Sequence, residues 1–251
     1  MSWNMGDGYR IWTDAALSRT FLEDVRGGVP CAAEQLEVML RVIGASGHPV
    51  RHFADLGCGG GALARVLLNR YPQAQATLLD QSAPMLAAAR AALGAHQPPP
   101  RFVMADLAAS AWRDTVAADP PYDVVVSGYA IHHLPDARKQ ALYAEIFDLL
   151  VPGGVFVNVE HVASRTGRLA TVSDDLLIDS IHAFHTRRGS GKTRAQVRDE
   201  FVHRPDKGAN ILAPVETQCE WLRAIGYADV DCYFKIFELA VFGGRKPGDA
   251  D

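Results

Sequence analysis

The residues whose types and spacing could do chemistry are three acids, a glycine run and three histidines. Asp55 stands two residues ahead of Gly57-Cys58-Gly59-Gly60-Gly61. Glycines at that density make a tight turn. A turn between a strand and a helix brings backbone N–H groups to a nucleotide-type ligand. Gly57, Gly59 and Ala62 fit G-x-G-x-x-A, while Gly57, Gly59 and Gly61 equally fit G-x-G-x-G, so the turn alone leaves the ligand open. Asp80 follows about 20 positions on, where a strand-end carboxylate can accept from both ribose hydroxyls. Asp55 would repel a pyrophosphate and suits a cationic head such as an α-ammonium. Asp106 suits an adenine amino group, with the Leu107 backbone N–H offered to the ring. His132, His133 and His161 are candidate general bases, because histidine titrates near neutral pH. Hydrogen bonding and pocket lining are the alternative roles for the His132-His133 pair.

These groups need a scaffold, and the pattern supplies one. Strands are expected at 50–56, 76–80, 101–105, 122–127 and 155–160, alternating with helices at 61–71, 82–94 and 136–150. Ser82 is placed to cap the second of these helices, with Pro84 in its first turn, and Asp136 is placed to cap the third. Pro152-Gly153-Gly154 reads as a break before the fifth strand. Apolar strands alternating with helices imply a doubly wound, mostly parallel α/β sheet. A last helix over 214–225 ends at Gly226. Runs 230–234 and 237–242 follow too closely for a helix between them, so they form an antiparallel hairpin and complete a seven-stranded sheet. Residues 1–46 read as an N-terminal helical cap, with Tyr9 and Trp12 able to close over the site. Residues 163–213 read as a helical lid insertion with an exposed loop at 186–192. Residues 47–246 form the main domain and 247–251 a tail.

Composition narrows the class. The net charge of −4 argues against a nucleic-acid surface built on bulk basicity. No secretory leader and no apolar run of roughly 20 residues is read, so a cytoplasmic protein without membrane partners is expected. Cys31, Cys58, Cys219 and Cys232 lack paired metal spacing and read as free thiols, and no metal site is expected.

Taken in order, Asp55-Leu56-Gly57-Cys58-Gly59-Gly60-Gly61, Leu79-Asp80, Ala105-Asp106-Leu107, Asp123-Val124-Val125-Val126-Ser127 and Leu150-Val151-Pro152-Gly153-Gly154 resemble the motifs of class I S-adenosylmethionine-dependent methyltransferases. The segment from Trp221 to Lys246 is similar to that family's last helix and reversed strand pair. The resemblance spans about residues 50–246. It implies S-adenosyl-L-methionine as cofactor, with the glycine turn near its methionine part and Asp80 on its ribose. Gln81 and Met85 would lie against the adenine or ribose, and Asp106 and Leu107 would read the adenine edge. The Ser127 backbone and Tyr129 would border the sulfonium. The implied activity is methyl transfer to a small organic acceptor.

Several features compete with that assignment. Asp119-Pro120-Pro121-Tyr122 matches a methyltransferase signature but precedes the fourth strand, so it reads as a turn far from the site. His182 and His185, with Arg187 and Arg188 behind them, read as a solvated helix face, or as a patch for an anionic substrate. A carboxy-S-adenosylmethionine synthase-like enzyme would need a cation near the sulfonium. Arg165, Arg168, Arg187, Arg188, Arg194 and Arg198 leave that alternative open. A non-catalytic cofactor-binding protein and a nicotinamide oxidoreductase are further alternatives. Acceptor atom and oligomeric state are not readable.

Overall fold

A computed structural model describes residues 13–15 and 26–248. The expected helix around Tyr9, Trp12 and Leu22 lies outside the described residues. The described elements include a short 3-10 turn, Arg26–Gly28, and helix α1, Ala32–Ala45. There follow β1 His52–Leu56, α2 Ala62–Arg70, β2 Gln75–Asp80, α3 Ala83–Leu93, β3 Arg101–Met104 and β4 Tyr122–Gly128. Next come α4 Asp136–Leu149 and β5 Leu150–His161. Helices α5 Gly167–Arg187 and α6 Arg194–Val202 make the excursion that leads to α7 Val215–Ile225, and β6 Ala228–Ile236 and β7 Leu239–Arg245 end the sheet.

The seven strands lie in the order β3-β2-β1-β4-β5-β7-β6. β1 pairs in parallel with both β2 and β4, and β7 runs antiparallel between β5 and β6. The strand order reverses between β1 and β4. In open α/β sheets ligands bind outside the strand C-termini at such a switch point. One face of the sheet packs Tyr143, Ile146, Leu222 and Phe156 in a core built with α4 and α7. The other packs Met39, Ile43, Leu67 and Ala89 from α1, α2 and α3. Because both faces are covered, β4 is apolar throughout Val124–Val126 rather than alternating.

Local chemistry explains most element ends. The Ser82 hydroxyl accepts from Met85 N–H as expected, at 3.4 Å, and Gly226 stops α7 at φ 115°. Thr193 and Gln196 form a reciprocal capping box on α6. Three expectations need correction. Asp136 does not cap α4: Pro135 is the capping residue, and Asp136 in the first turn accepts from Lys139 Nζ at 2.6 Å. Pro152-Gly153-Gly154 does not break the chain before β5. The strand starts at Leu150, opposite Tyr122, and Gly153 at φ +82° forms a bulge whose N–H donates to Lys246 O. Phe237 does not begin the last strand. At φ +49° it sits with Glu238 in the hairpin turn.

The 163–213 excursion is closed at its base, where Ala163 N–H donates to Ala213 O at 3.0 Å. Leu177, Ile178 and Ile181 of α5 pack with Val197 and Phe201 of α6, against Leu239 of the hairpin and Tyr129. α5 also lies hard on the 26–28 turn. A methyl group on Gly28 would come within 2.8 Å of the Ile181 Cα. The excursion is thus held over the C-terminal ends of β4 and β5. No described helix is long and apolar enough to cross a membrane.

Candidate functional site

The glycine turn is built by conformations that only glycine adopts cheaply. Gly57, Gly59 and Gly61 all have positive φ, at 66°, 51° and 76°. At Gly57 sterics add to this, since a Cβ would lie 2.2 Å from the Ala130 Cβ. The turn is tied to both neighbouring strands. Cys58 N–H donates to Leu79 O, and Gly59 N–H donates to Asp80 Oδ2 at 2.8 Å. Asp80 Oδ1 accepts from Ser82 N–H, also at 2.8 Å, so the carboxylate is clamped between the turn and the start of α3. Burial pushes its carboxyl up, against the pull of the Ser82, Gly59 and Gln81 N–H groups. Three N–H donors leave the carboxylate room to accept from a further hydroxyl. Asp55 is buried beneath the turn, where Oδ2 accepts from Ala64 N–H at 3.1 Å in the first turn of α2. Part of its role is therefore to cap that helix from outside.

The remaining expected cofactor residues ring the same strand ends. Gln81 is half-buried and Met85 is buried at the start of α3. Asp106 is exposed, with Oδ1 accepting from Ala108 N–H to hold the loop after β3. Leu107 is buried, and its carbonyl accepts from Arg138 Nε at 2.7 Å. Arg138 in turn makes a two-pronged pair with Glu145, which also accepts from Trp112 Nε1. That network, invisible in the motif, fixes the loop. The Ser127 hydroxyl is spent on Leu56 O, leaving its backbone as the part that could face a ligand. Tyr129 takes φ +54°, donates its N–H to Val159 O and donates its hydroxyl to Gln35 Oε1 at 2.6 Å. Gln35 is buried and donates to Pro30 O, so α1 helps to orient the tyrosine.

Two cavities meet at Tyr129. The larger, 530 Å³, is lined by Val29, Gln35, Leu63, Gly128 and Phe184 among others. The smaller, 70 Å³, is lined by His132, His133, His161, Arg204 and Asn210 and shares Val29 and Tyr129 with the first. A further cavity of 810 Å³ opens near His48, Gly153 and Arg245, at the opposite ends of the parallel strands, away from the glycine turn.

The three candidate histidines converge. The rings of His132 and His133 are 3.9 Å apart and those of His132 and His161 are 5.6 Å apart. Each of two has a carboxylate partner that the sequence reading missed. Glu160 Oε1 meets His132 Nδ1 at 2.5 Å, and the His132 and His161 backbone N–H groups also donate to Glu160. Glu238 Oε2 meets His161 Nε2 at 3.1 Å, and its Oε1 accepts from Ser164 N–H. Burial pushes Glu160 up to about 7 and holds His132 well down, helped by positive charge at His161, Arg204 and Lys139. Near neutral pH the pair therefore keeps one proton between Nδ1 and Oε1. His133 is likewise held neutral by burial, with Nδ1 at 3.2 Å from Ala209 O. Burial raises Glu238, but hydrogen bonds from His161 and Ser164 outweigh it and leave the carboxyl below its ordinary range.

Other candidates disperse. His185 is buried under the end of α5 rather than lying on a solvated face. Arg165, Arg194 and Arg198 pair with Glu216, Asp179 and Asp175 at the surface, while Arg168 and Arg187 are exposed. Arg188 lies over the Phe184 ring and lines the larger cavity. Asp119 stays at the far edge of the sheet as expected, accepting from Tyr122, Arg101 and Thr77.

A sheet with its last strand reversed, a glycine turn at the switch point and an acid clamped at the end of β2 define a nucleoside-binding α/β domain of methyltransferase type. Residues 53–154 match the family model described as a methyltransferase domain. The chain carries a class I S-adenosylmethionine-dependent methyltransferase domain. It is 32% identical over 203 residues to a trans-aconitate 2-methyltransferase of Acidovorax sp. (strain JS42), covering 80% of this chain and 64% of that relative. The chain thus spans less than two thirds of the length of that curated relative. It is 23% identical to a carboxy-S-adenosyl-L-methionine synthase of a Nitratiruptor species, covering 94% of this chain and 93% of the relative. The fold is shared with magnesium protoporphyrin IX methyltransferase from Synechocystis PCC 6803, solved with bound S-adenosylmethionine, at a TM-score of 0.61 and 14% identity over 98% of each chain.

Proposed function

We propose that this chain transfers a methyl group from S-adenosylmethionine to a small organic acceptor held beneath the 163–213 lid. The observation that carries the reading is the meeting of two cavities at Tyr129, one running from the α2 start beside the glycine turn and one enclosed by histidines. The cofactor supplies a methyl group already activated by its positive sulfur. The chain's own contribution is to bind, orient and exclude water, and orientation alone is worth roughly 7–11 kcal/mol. Asp80 accepts from the ribose, Asp106 and the Leu107 N–H hold the adenine edge, and Gln81 and Met85 flank it. Asp55 and the glycines Gly57, Gly59 and Gly61 shape the methionine end, and the Ser127 backbone and Tyr129 border the methyl group. His132, steadied at Nδ1 by Glu160, is the group best held to take a proton from the acceptor, a contribution of roughly 10²–10⁴-fold. His161 and His133 line the same pocket. Similarity to a trans-aconitate methyltransferase favours a small-molecule acceptor.

Calorimetry with S-adenosylhomocysteine tests the donor site. The wild-type chain is expected to bind it, and not NAD or NADP. Asp80→Asn keeps one acceptor oxygen for the backbone N–H groups of Gly59, Gln81 and Ser82 and leaves the ribose short of one. Affinity is expected to fall by about 1–3 kcal/mol. Dinucleotide binding, or an unchanged affinity in Asp80→Asn, defeats the reading.

A further inference from the structure

The small pocket contains a cation that the fold leaves unfinished. Arg204 opens the 3-10 turn Pro205–Ala209, between α6 and α7, and its guanidinium stacks on the Phe201 ring at 4.6 Å. Its Nε is fully buried and has no hydrogen-bond partner. Asp206 is the nearest carboxylate, with Oδ2 3.5 Å from Nε, too far for that donor to be satisfied. A buried guanidinium donor without an acceptor is rare in folded proteins and calls for an explanation. The surroundings point to one. Arg204 shares the pocket with His132, His133, His161 and Asn210. Burial, helped by the nearby charges of His161, Arg204 and Lys139, holds His132 neutral. Of the acids around these rings, Glu160 and Glu238 are already committed to His132 and His161, and Asp206 lines the pocket beside Arg204. The 70 Å³ of space is about the room of two waters, which is also what a carboxylate group occupies.

We propose that the pocket under Arg204 is a carboxylate subsite, so that the ligand reaching past Tyr129 is a carboxylic acid in its ionised form. The Arg204 guanidinium donates to one carboxylate oxygen, and the Asn210 amide lies near the other. The carboxylate has two possible carriers, the methyl acceptor or a carboxylated cofactor, and the chemistry at Arg204 is the same for both. Among the arginines of the lid, Arg165, Arg194 and Arg198 are taken up in surface pairs with this chain's own acids. Arg204 is the one that lines the histidine pocket. The choice of a carboxylate rests on the reading of the neighbouring crevice as the methyl-donor site, since it is that site which brings a substrate to the pocket.

The test uses the whole chain loaded with S-adenosylhomocysteine, and sodium acetate as probe against acetamide at matched ionic strength. Histidine ring resonances are followed by ¹⁵N-edited NMR. Acetate is expected to shift His132 and His161 saturably, and acetamide to leave them in place. In Arg204→Gln the acetate affinity is expected to fall on the order of 10- to 100-fold, and Arg204→Lys to keep part of it. In a second arm, carboxy-S-adenosylmethionine is titrated against S-adenosylmethionine. Tighter binding of the carboxylated form, lost in Arg204→Gln, assigns the carboxylate to the cofactor. Acetate binding alone assigns it to the acceptor. If acetate and acetamide act alike and the two cofactors bind equally, the proposal fails, and the wild-type chain decides this even if neither variant folds. Affinities that Arg204→Gln leaves unchanged overturn it too. Calorimetry with S-adenosylhomocysteine in parallel separates the two readings: binding there with no response to carboxylate removes the subsite and leaves the donor site standing.

Discussion

Glu160 offers a test of the histidine cluster in which the sign and size both follow from the structure. Its carboxyl is fully buried and pushed from 4.5 up to about 7. A carboxyl with a raised pKa holds its proton longer in the folded chain than in the unfolded one. Its stabilisation is fully present below pH 4.5 and is lost as pH rises through about 7. The distance from 4.5 to about 7 corresponds to about 3 kcal/mol at most. Glu160→Gln removes that titration. It also places an amide NH₂ where one of the two carboxylate oxygens stood, and both of those accept from backbone N–H groups, His132 on one and His161 on the other. One N–H loses its acceptor, at about 1–3 kcal/mol. The variant is therefore expected to be less stable than the wild type by that amount at pH 5, and to draw level or pull ahead by pH 8. His132 is held neutral by burial in both proteins, so its own titration cancels in the comparison. Urea denaturation of the two proteins at pH 5, 6, 7 and 8 and constant ionic strength measures the gap. A gap that stays constant, or widens with pH, would mean that Glu160 is ionised throughout, and the shared-proton description of the His132 pair would be wrong.

Two further substitutions separate the working end of the sheet from its opposite end. Gly57→Ala puts a Cβ 2.2 Å from that of Ala130 at a φ of +66°, so it is expected to cost about 2–5 kcal/mol of stability and to weaken S-adenosylhomocysteine binding, checked by thermal melting and calorimetry. Asp119→Ala deprives Thr77, Arg101 and Tyr122 of a shared acceptor and is expected to cost about 1–3 kcal/mol while leaving S-adenosylhomocysteine affinity unchanged. Burial raises the Asp119 carboxyl, but Tyr122 and Arg101 outweigh it and hold the group below its usual value, so this loss should be largest above pH 4 and shrink as pH falls.

The contrast between those positions reflects what a sequence can carry. The meeting of the glycine turn with the end of β2 was legible because the two are close in sequence, and the Gly59–Asp80 contact spans 21 residues. The Asp119-Pro120-Pro121-Tyr122 signature was rightly set aside because its position relative to β4 is also a local fact. Local readings failed where two local signals compete. Asp136 is a good capping type, yet Pro135 already has the extended backbone that the capping position needs. Pro152-Gly153-Gly154 looks like a break, yet a bulge absorbs it and the pairing with β7 and its flank continues.

The histidine pocket was illegible for a different physical reason. Its parts come from four segments with no shared spacing: the loop after β4, the end of β5, the turn after α6 and the hairpin turn. Glu238 reaches His161 across 77 residues, and His133 meets Ala209 across 76. Glu238 reads as part of a strand in sequence, and becomes the partner of His161 only because the hairpin turn falls at Phe237. Arg204 reads as one more charge in a polar loop, and is singled out only when the excursion closes at Ala163 and Ala213 and buries its Nε. Burial is what changes these groups. It pushes Glu160 up and His132 down, and it turns an ordinary arginine into a donor in search of an acceptor. A site that recognises a common cofactor can be written as a motif, because the same contacts recur along neighbouring strand ends. The histidine pocket is made by desolvating residues brought from far apart, and desolvation leaves no trace in residue order.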